Sequence, residues 1–396
     1  MFRRLALGIL ACSLLLIPST PAHGETQPQW SSAQLTAGWL ARALADQGNL
    51  ALRDTGEVDY ASTAYAILGM KASGVAALQI VKSGEAMASS DEAFIGTSDE
   101  IGSKTTAIAL MILAMRAADL DPSDYPTAHG TRNLYEDLLS AVREDGSISD
   151  WASAYGQSFA ILALSTATVT LDRKITDWLL AQPCTDAASA GYGGYGFSGP
   201  GSCEDADPDS TALAVLALAH VGVSLDTLAP SRAYLWSVMD DHGGFVSPFS
   251  SANTNTTGLA LAALKASDPA GVDADKMSSA ENYLMSVRLD CSRTINISLL
   301  DAMVYDLTET LPAPEDSFTL FGSTAQGVWG LADGLFLNAE TGVLDVPGPT
   351  ACEVDASPPV TQEEEPSNLW WIAILAVAVL GIAVITWRVV VKRSTR

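Results

Sequence analysis

The chain has 396 residues, of which 48% are hydrophobic and only 17% charged; this excludes a disordered polymer and leaves room for one large domain or two ordinary ones. Its formal net charge is −25, with 21 Lys and Arg against 46 Asp and Glu. A surface this acidic repels phosphate backbones, so nucleic acid is not an expected partner.

The first residues read "MFRRLALGILACSLLLIPSTPAHG". Arg3 and Arg4 precede an apolar stretch from Leu5 to Ile17, with the small residues Ala22 and Gly24 behind it. This is the pattern of an export signal, assigned to residues 1–24 and set apart from the fold. "ILAC" around Cys12 is a weak lipoprotein signal, because the apolar run continues past it.

The body, residues 25–344, carries a six-fold repeat. "TAYAILGM" from Thr63 returns as "TAIALMIL" from Thr106, "QSFAILAL" from Gln157, "TALAVLAL" from Thr211, "TGLALAAL" from Thr257 and "TAQGVWGL" from Thr324. Each block is small and apolar nearly all round, as in a helix buried on every side. A more amphipathic segment precedes each one. These segments are "AGWLARALAD" from Ala37, a fainter one at Ala76–Met87, "LYEDLLSAVRED" from Leu134, "KITDWLLAQ" from Lys174, "SRAYLWSVMDD" from Ser231 and "SAENYLMSVRLD" from Ser279. The expected fold is therefore all-α: an (α/α)6 toroid of six inner and six outer helices. A solenoid or a bundle is the alternative, but a solenoid has more uniform repeats, and six pairs close a ring.

Four cysteines follow the signal: Cys184, Cys203, Cys291 and Cys352. In an exported chain an even number points to disulfides, with three connectivities open. Cys184 with Cys203 would close a Gly-rich loop, and Cys291 with Cys352 would pin the chain beyond the body. No C-x-x-C or nearby His pair supports a metal site, so none is expected. Residues 345–368 are rich in Pro and acid and read as a stalk. Residues 369–387 are uncharged and flanked by Trp370, Trp371 and Trp387, which fits a membrane-spanning helix. The basic residues of 388–396 place that tail in the cytoplasm and the body outside a cell membrane.

Four residues ahead of each repeat stand Asp59, Gly102, Ser153, Asp207, Asn253 and Leu320. Five of these are types favoured as N-caps, whose side-chain oxygen accepts an orphan backbone N–H. Pro208 after Asp207 and the acidic Asp209 in the first turn complete a helix start. If the inner helices run parallel, their starts ring one mouth. Asp59, Gln157, Asp207, Asp209, Asn253 and Asn255 are the ligand-binding residues expected there. Tyr60, Tyr65, Trp151, Tyr155, Tyr192, Tyr195, Phe197 and Phe245 are available for flat contact, or as core.

Over about residues 31–340 the chain resembles the terpenoid cyclase and protein prenyltransferase superfamily. Its zinc-dependent prenyltransferases are excluded, since none of the four His lies beside a Cys in their pattern. "DPDSTA" from Asp207 is similar to the acid motif of squalene-hopene cyclases, but Ser210 stands where the last acid belongs. Such cyclases are also longer, with a second barrel. That resemblance implies Asp207 and Asp209 as catalytic acids. "AYGQSFAILAL", "DSTALAVLAL" and "NTTGLALAAL" look like inner helices of the transcobalamin and intrinsic factor family. This resemblance implies a non-catalytic binder of cobalamin, contacted by Gln157, Asp209 and Asn253 or Asn255. That family closes over its ligand with a β-rich domain that this chain lacks, so a separate lid or an uptake transporter is the implied partner. A third possibility is a module whose mouth docks another exported protein. The binder predicts lost affinity in Gln157→Ala; the cyclase predicts lost turnover in Asp207→Asn or Asp209→Asn.

Overall fold

A computed structural model describes residues 29–352, apart from 91, 168–169, 197–200, 269, 295, 309–316, 333–336 and 338–341. The chain is all-α among these residues, with two short β-hairpins. The helices come in pairs: α1 (Ser32–Asp46) and α2 (Tyr60–Ser73), α3 (Ala77–Ala88) and α4 (Ile101–Ala117), α5 (Leu134–Ser140) and α6 (Ala154–Ser165). Then follow α7 (Arg173–Leu180) and α8 (Pro208–His220), α9 (Leu225–Ser237) and α10 (Thr254–Ala266), α11 (Ala274–Val287) and α12 (Ser317–Leu331). Every amphipathic segment and every apolar block of the sequence is thus a helix. The signal segment, the apolar run 369–387 and Phe197 lie outside the described residues. Among those described, no helix is long and apolar enough to cross a membrane.

Even-numbered helices bury nearly their whole circumference, whereas α7, α9 and α11 bury a single face. Contacts among the even-numbered set form a cycle: α2 packs on α4, α4 on α6, α6 on α8, α8 on α10, α10 on α12, and α12 returns to α2. Small residues permit the close approaches. A Cβ on Gly258 of α10 would lie 2.3 Å from the Gln326 carbonyl of α12, and one on Gly69 of α2 would lie 2.3 Å from Val328. Starts meet starts, since a Cβ on Gly156 of α6 would meet the Thr106 hydroxyl of α4. The even-numbered helices therefore run parallel and share one mouth.

The Thr that opens the repeats has a structural task. Thr63, Thr211 and Thr257 are the fourth residues of α2, α8 and α10, and each hydroxyl accepts the backbone N–H of Ala51, Tyr195 or Phe245 at 2.9 Å. Thr324 does the same for Met303 at 2.8 Å. Thr63 and Thr211 also donate to the carbonyls of their own N-caps, Asp59 and Asp207, at 2.7 Å. One hydroxyl thus ties each buried helix to the turn that leads into it. Thr106 departs from this pattern and faces Gly156. Replacing Thr211 by Val keeps the shape but orphans the buried Tyr195 N–H. The expected loss is about 1–3 kcal/mol, read from the urea midpoint.

Those turns are themselves repeated. Leu52 bridges Val58, Val142 bridges Ile148 and Met239 bridges Phe245. Gly146 and Gly243 hold φ of 92° and 87° within them, and a Cβ there would sit 2.1 Å and 2.3 Å from the carbonyls of Lys174 and Ser279. Only glycine serves at either position.

Cys184 and Cys203 are joined, with Cα atoms 4.9 Å apart, and close the Gly-rich loop before α8. Cys291 and Cys352 are also disulfide-bonded. These bonds fit an exported protein. Residues 345–350, assigned to the stalk by composition, belong to the body. The Asp345 carbonyl accepts from Ala76, Pro347 packs on Gly38, and the Thr350 N–H donates to Asp301 at 2.8 Å.

Candidate functional site

The parallel helices bring their first turns to one end. Four expected caps are present: Asp59, Ser153, Asp207 and Asn253 each accept the N–H three residues on. Two are not. Helix α4 begins at Ile101, after a short 3₁₀ turn with a Thr97–Glu100 capping box, so Gly102 lies inside it. Leu320 lies within α12. The 3₁₀ turn entering α4 moves that helix start upstream of the position that the repeat predicts.

The six expected ligand residues fall into two groups. Asp59 is buried, and its carboxylate accepts from Ser62 N and Oγ at 3.1 and 2.9 Å. Asp207 is buried and accepts the Ser210 N–H at 2.7 Å. Asn253 accepts from Thr256 N at 3.0 Å while its amide donates to Ser250 Oγ, the Ser251 carbonyl and Thr256 Oγ1. Gln157 is fully buried; its Oε1 accepts from Ile148 N at 2.8 Å and its Nε2 donates to the Gly146 and Ile175 carbonyls at 3.0 Å. These four side chains are occupied by the fold. Gln157 is a correction to the expected binding role: it stands where other repeats have Thr, and its longer amide pins the turn at Gly146 to α7 as well.

Asp209 and Asn255 differ. They are the second residues of α8 and α10, and both are only partly buried. Asp209 Oδ1 and Asn255 Oδ1 are each screened from solvent and have no hydrogen-bond partner in the protein. The Thr256 side chain, next to Asn255, lies near enough to act on the Asp209 carboxyl, so the two positions are neighbours across the helix pair. Burial, and then the charge of Asp207, push Asp209 up to about 7, against the lowering effect of Thr256.

Aromatic residues stand near the same helix starts. Tyr155, the second residue of α6, meets Tyr65 of α2 hydroxyl to hydroxyl at 2.7 Å. Burial raises both phenols, Tyr65 to about 12 and Tyr155 well above its ordinary value, so they are neutral hydrogen-bonding groups at any working pH. Phe159 lies 6.1 Å and Trp329 5.6 Å from the Tyr65 ring, centroid to centroid, and both are buried. Tyr60 stacks on Phe94, while Tyr195 and Phe245 belong to the core. Trp151 and Phe249 remain exposed, at 85% and 74%, on the loops entering α6 and α10. Phe249 was not anticipated; its signal is the matching place of "DWAS" before Ala154 and "PFSSAN" before Thr254.

Two surface hollows, of about 420 Å³ beside Val238, Met239 and Val246 and about 160 Å³ beside Cys184 and Tyr192, are lined by none of the six expected residues. Tyr192 is exposed at the second. Among the described residues no group of three or more His, Cys, Asp and Glu is placed to hold a metal.

No protein family and no curated protein matches the chain. A solved structure of a protein from Actinoplanes aligns with a TM-score of 0.50 over 76% of this chain and 98% of that one, at 16% identity, a likeness of fold alone. The Lin0763 protein from Listeria innocua gives a TM-score of 0.48 at 11% identity, over 76% of this chain and 96% of its own.

Proposed function

We propose that this chain is a ligand-binding (α/α)6 toroid, held outside a cell membrane by the apolar run 369–387, that takes a small molecule at the mouth of its inner helices. The observation that carries this reading is the pair of unpartnered, screened oxygens on Asp209 and Asn255. Burying such acceptors is unfavourable unless a donor meets them. Tyr155 and the exposed Trp151 and Phe249 suit a ligand with a broad apolar face. A corrinoid has both features, a flat macrocycle and a periphery of amide donors, and is the ligand we put forward. One toroid covers one face of it, so a separate lid or an uptake transporter would cover the other.

The cyclase reading has one feature in its favour, the burial beside Asp207 that raises Asp209 above the usual carboxylate range. It fares less well on the rest. Asp207 is held by its capping bond, Ser210 replaces the last acid, and an acid near pKa 7 is a weak proton donor to an alkene.

Calorimetry of the full-length protein with cobalamin, followed in parallel by corrin absorbance, tests the proposal. Saturable one-to-one binding is expected, weakened roughly 10- to 100-fold in Asp209→Ala, the loss of a hydrogen bond to a charged group. Absence of binding into the high micromolar range overturns the corrinoid assignment. Conversion of an isoprenoid substrate, lost in Asp209→Asn, would favour the enzyme instead.

A further inference from the structure

Residues 342–350 run from one end of the helix ring to the other. They start at the end away from the mouth, where α2 gives way to α3. There the Val343 N–H donates to the Gly74 carbonyl at 3.0 Å, and the Ala77 and Ala76 N–H groups donate to the Val343 and Asp345 carbonyls at 3.1 Å. Halfway along α1, Pro347 packs on Gly38, and its carbonyl accepts from Arg42, one turn nearer the mouth. At the mouth end the Thr350 N–H and hydroxyl both donate to the buried Asp301 carboxylate. Asp301 is itself fixed there: its N–H donates to the Leu289 carbonyl at 2.8 Å, just past the end of α11, and Arg288 pairs with its carboxylate at 3.2 Å. Odd-numbered helices end where even-numbered ones start, so the end of α11 belongs to the mouth. Cys291 and Cys352, both disulfide-bonded, follow closely on Leu289 and Thr350.

We infer that the mouth is the membrane-proximal end of the anchored protein, so that a partner covering it is one embedded in the same membrane. The inference rests on the membrane-anchored reading, but not on the identity of the ligand or on a cavity at the mouth. A body that ended with α12 would hang the other way, because α12 closes at the far end and a tether would begin there. Residues 342–350 reverse this by carrying the chain back along α1 before releasing it. The segment 353–368 then spans between about 22 Å as a flexible coil and about 55 Å fully extended. An inner helix such as the 13-residue α8 is about 20 Å long. The far end therefore stands about one helix length further from the anchor than the mouth does, which is comparable with the reach of the tether itself. A partner fixed in the same bilayer meets a mouth held in this way at a millimolar effective concentration, without the body leaving the membrane surface.

The test uses the full-length protein in nanodiscs of neutral phosphatidylcholine, since a chain of net charge −25 is repelled by anionic lipid. A donor dye is placed at the mouth end on Thr55→Cys, in the turn into α2, or at the far end on Val272→Cys, in the turn into α11; both positions are exposed. Headgroup-labelled lipid is the acceptor. Energy transfer from Thr55→Cys should be at least about twofold more efficient, given ends about 20 Å apart. Inserting about forty Gly and Ser residues into 353–368 should erase most of that difference. Freeing the segment with Cys291→Ser, Cys352→Ser and Thr350→Pro should narrow it as well. Equal transfer from the two ends, greater transfer from Val272→Cys, or a difference that survives both changes overturns the inference. Protein that fails to enter the nanodiscs overturns the anchored reading, and the inference falls with it. Protein that enters them and shows no difference overturns the inference alone.

Discussion

Asp209→Asn is expected to stabilise the protein at pH 8 by a few kcal/mol. The folded state holds the Asp209 proton up to about pH 7, whereas the unfolded chain releases it near 3.8. Between those values the folded state binds the additional proton, so stability falls as pH rises. Below the window both states are protonated and nothing is lost; above it the full cost of an ionised Asp209 beside Asp207 is present. At about 1.4 kcal/mol per unit, that cost is on the order of 4 kcal/mol. Asparagine keeps the side-chain shape and the Thr256 contact and removes the charge. Urea unfolding from pH 4 to pH 8 should therefore show a downward slope in the natural protein and a much flatter one in the variant. Identical pH profiles would refute the account. Truncating Asp209 is expected to weaken ligand binding, so the mouth would hold a charge that the fold alone disfavours, as functional sites often do.

Gln157→Ala should be severely destabilising while leaving the ligand affinity of the folded fraction unchanged. Three hydrogen bonds vanish together; the Ile148 N–H and the Gly146 carbonyl are left buried without partners, while the Ile175 carbonyl keeps its bond within α7. A loss of roughly 3–5 kcal/mol is expected, given 1–3 kcal/mol for each unsatisfied group. Gln157→Thr offers a graded control. Its hydroxyl should recover the link to Ile148, as Thr211 links to Tyr195, without reaching α7. Stability should then fall between alanine and glutamine. An affinity loss in Gln157→Ala at unchanged stability would return this residue to the binding site.

The sequence made the helices legible because their apolar blocks recur with one opening residue, and burial on all sides leaves no polar stripe to confuse the pattern. Capping was readable at Asp59, Ser153, Asp207 and Asn253, where Asp, Ser and Asn have a local preference. It failed at Gly102, where the entering 3₁₀ turn, not the repeat, sets the helix start. The site was only half legible. Residue type alone cannot separate Asn253 from Asn255, or Asp207 from Asp209. Within each pair one side chain turns back to cap its helix, and the other, two residues on, turns away from that duty. Gln157 misled for a related reason: a lone Gln in a row of Thr looks like a departure made for a ligand, yet it is the same tie with a longer arm.

The return of α12 to α2 bears on how the molecule reaches its folded state. In an open array of helix pairs each added pair buries the edge of the one before, and structure can spread from any point. Here the two faces that meet last, around Gly69 and Val328, come from distant parts of the chain, and each stays apolar and bare until the other arrives. Such long-range closure is slow compared with forming a helix pair. An exported chain would pass through an open, sticky crescent before it closes, and would be most exposed to proteases and to self-association in that interval. Gly69→Val, whose Cβ would meet Val328 at 2.3 Å, should wedge that seam open and lower both the stability and the yield of folded protein.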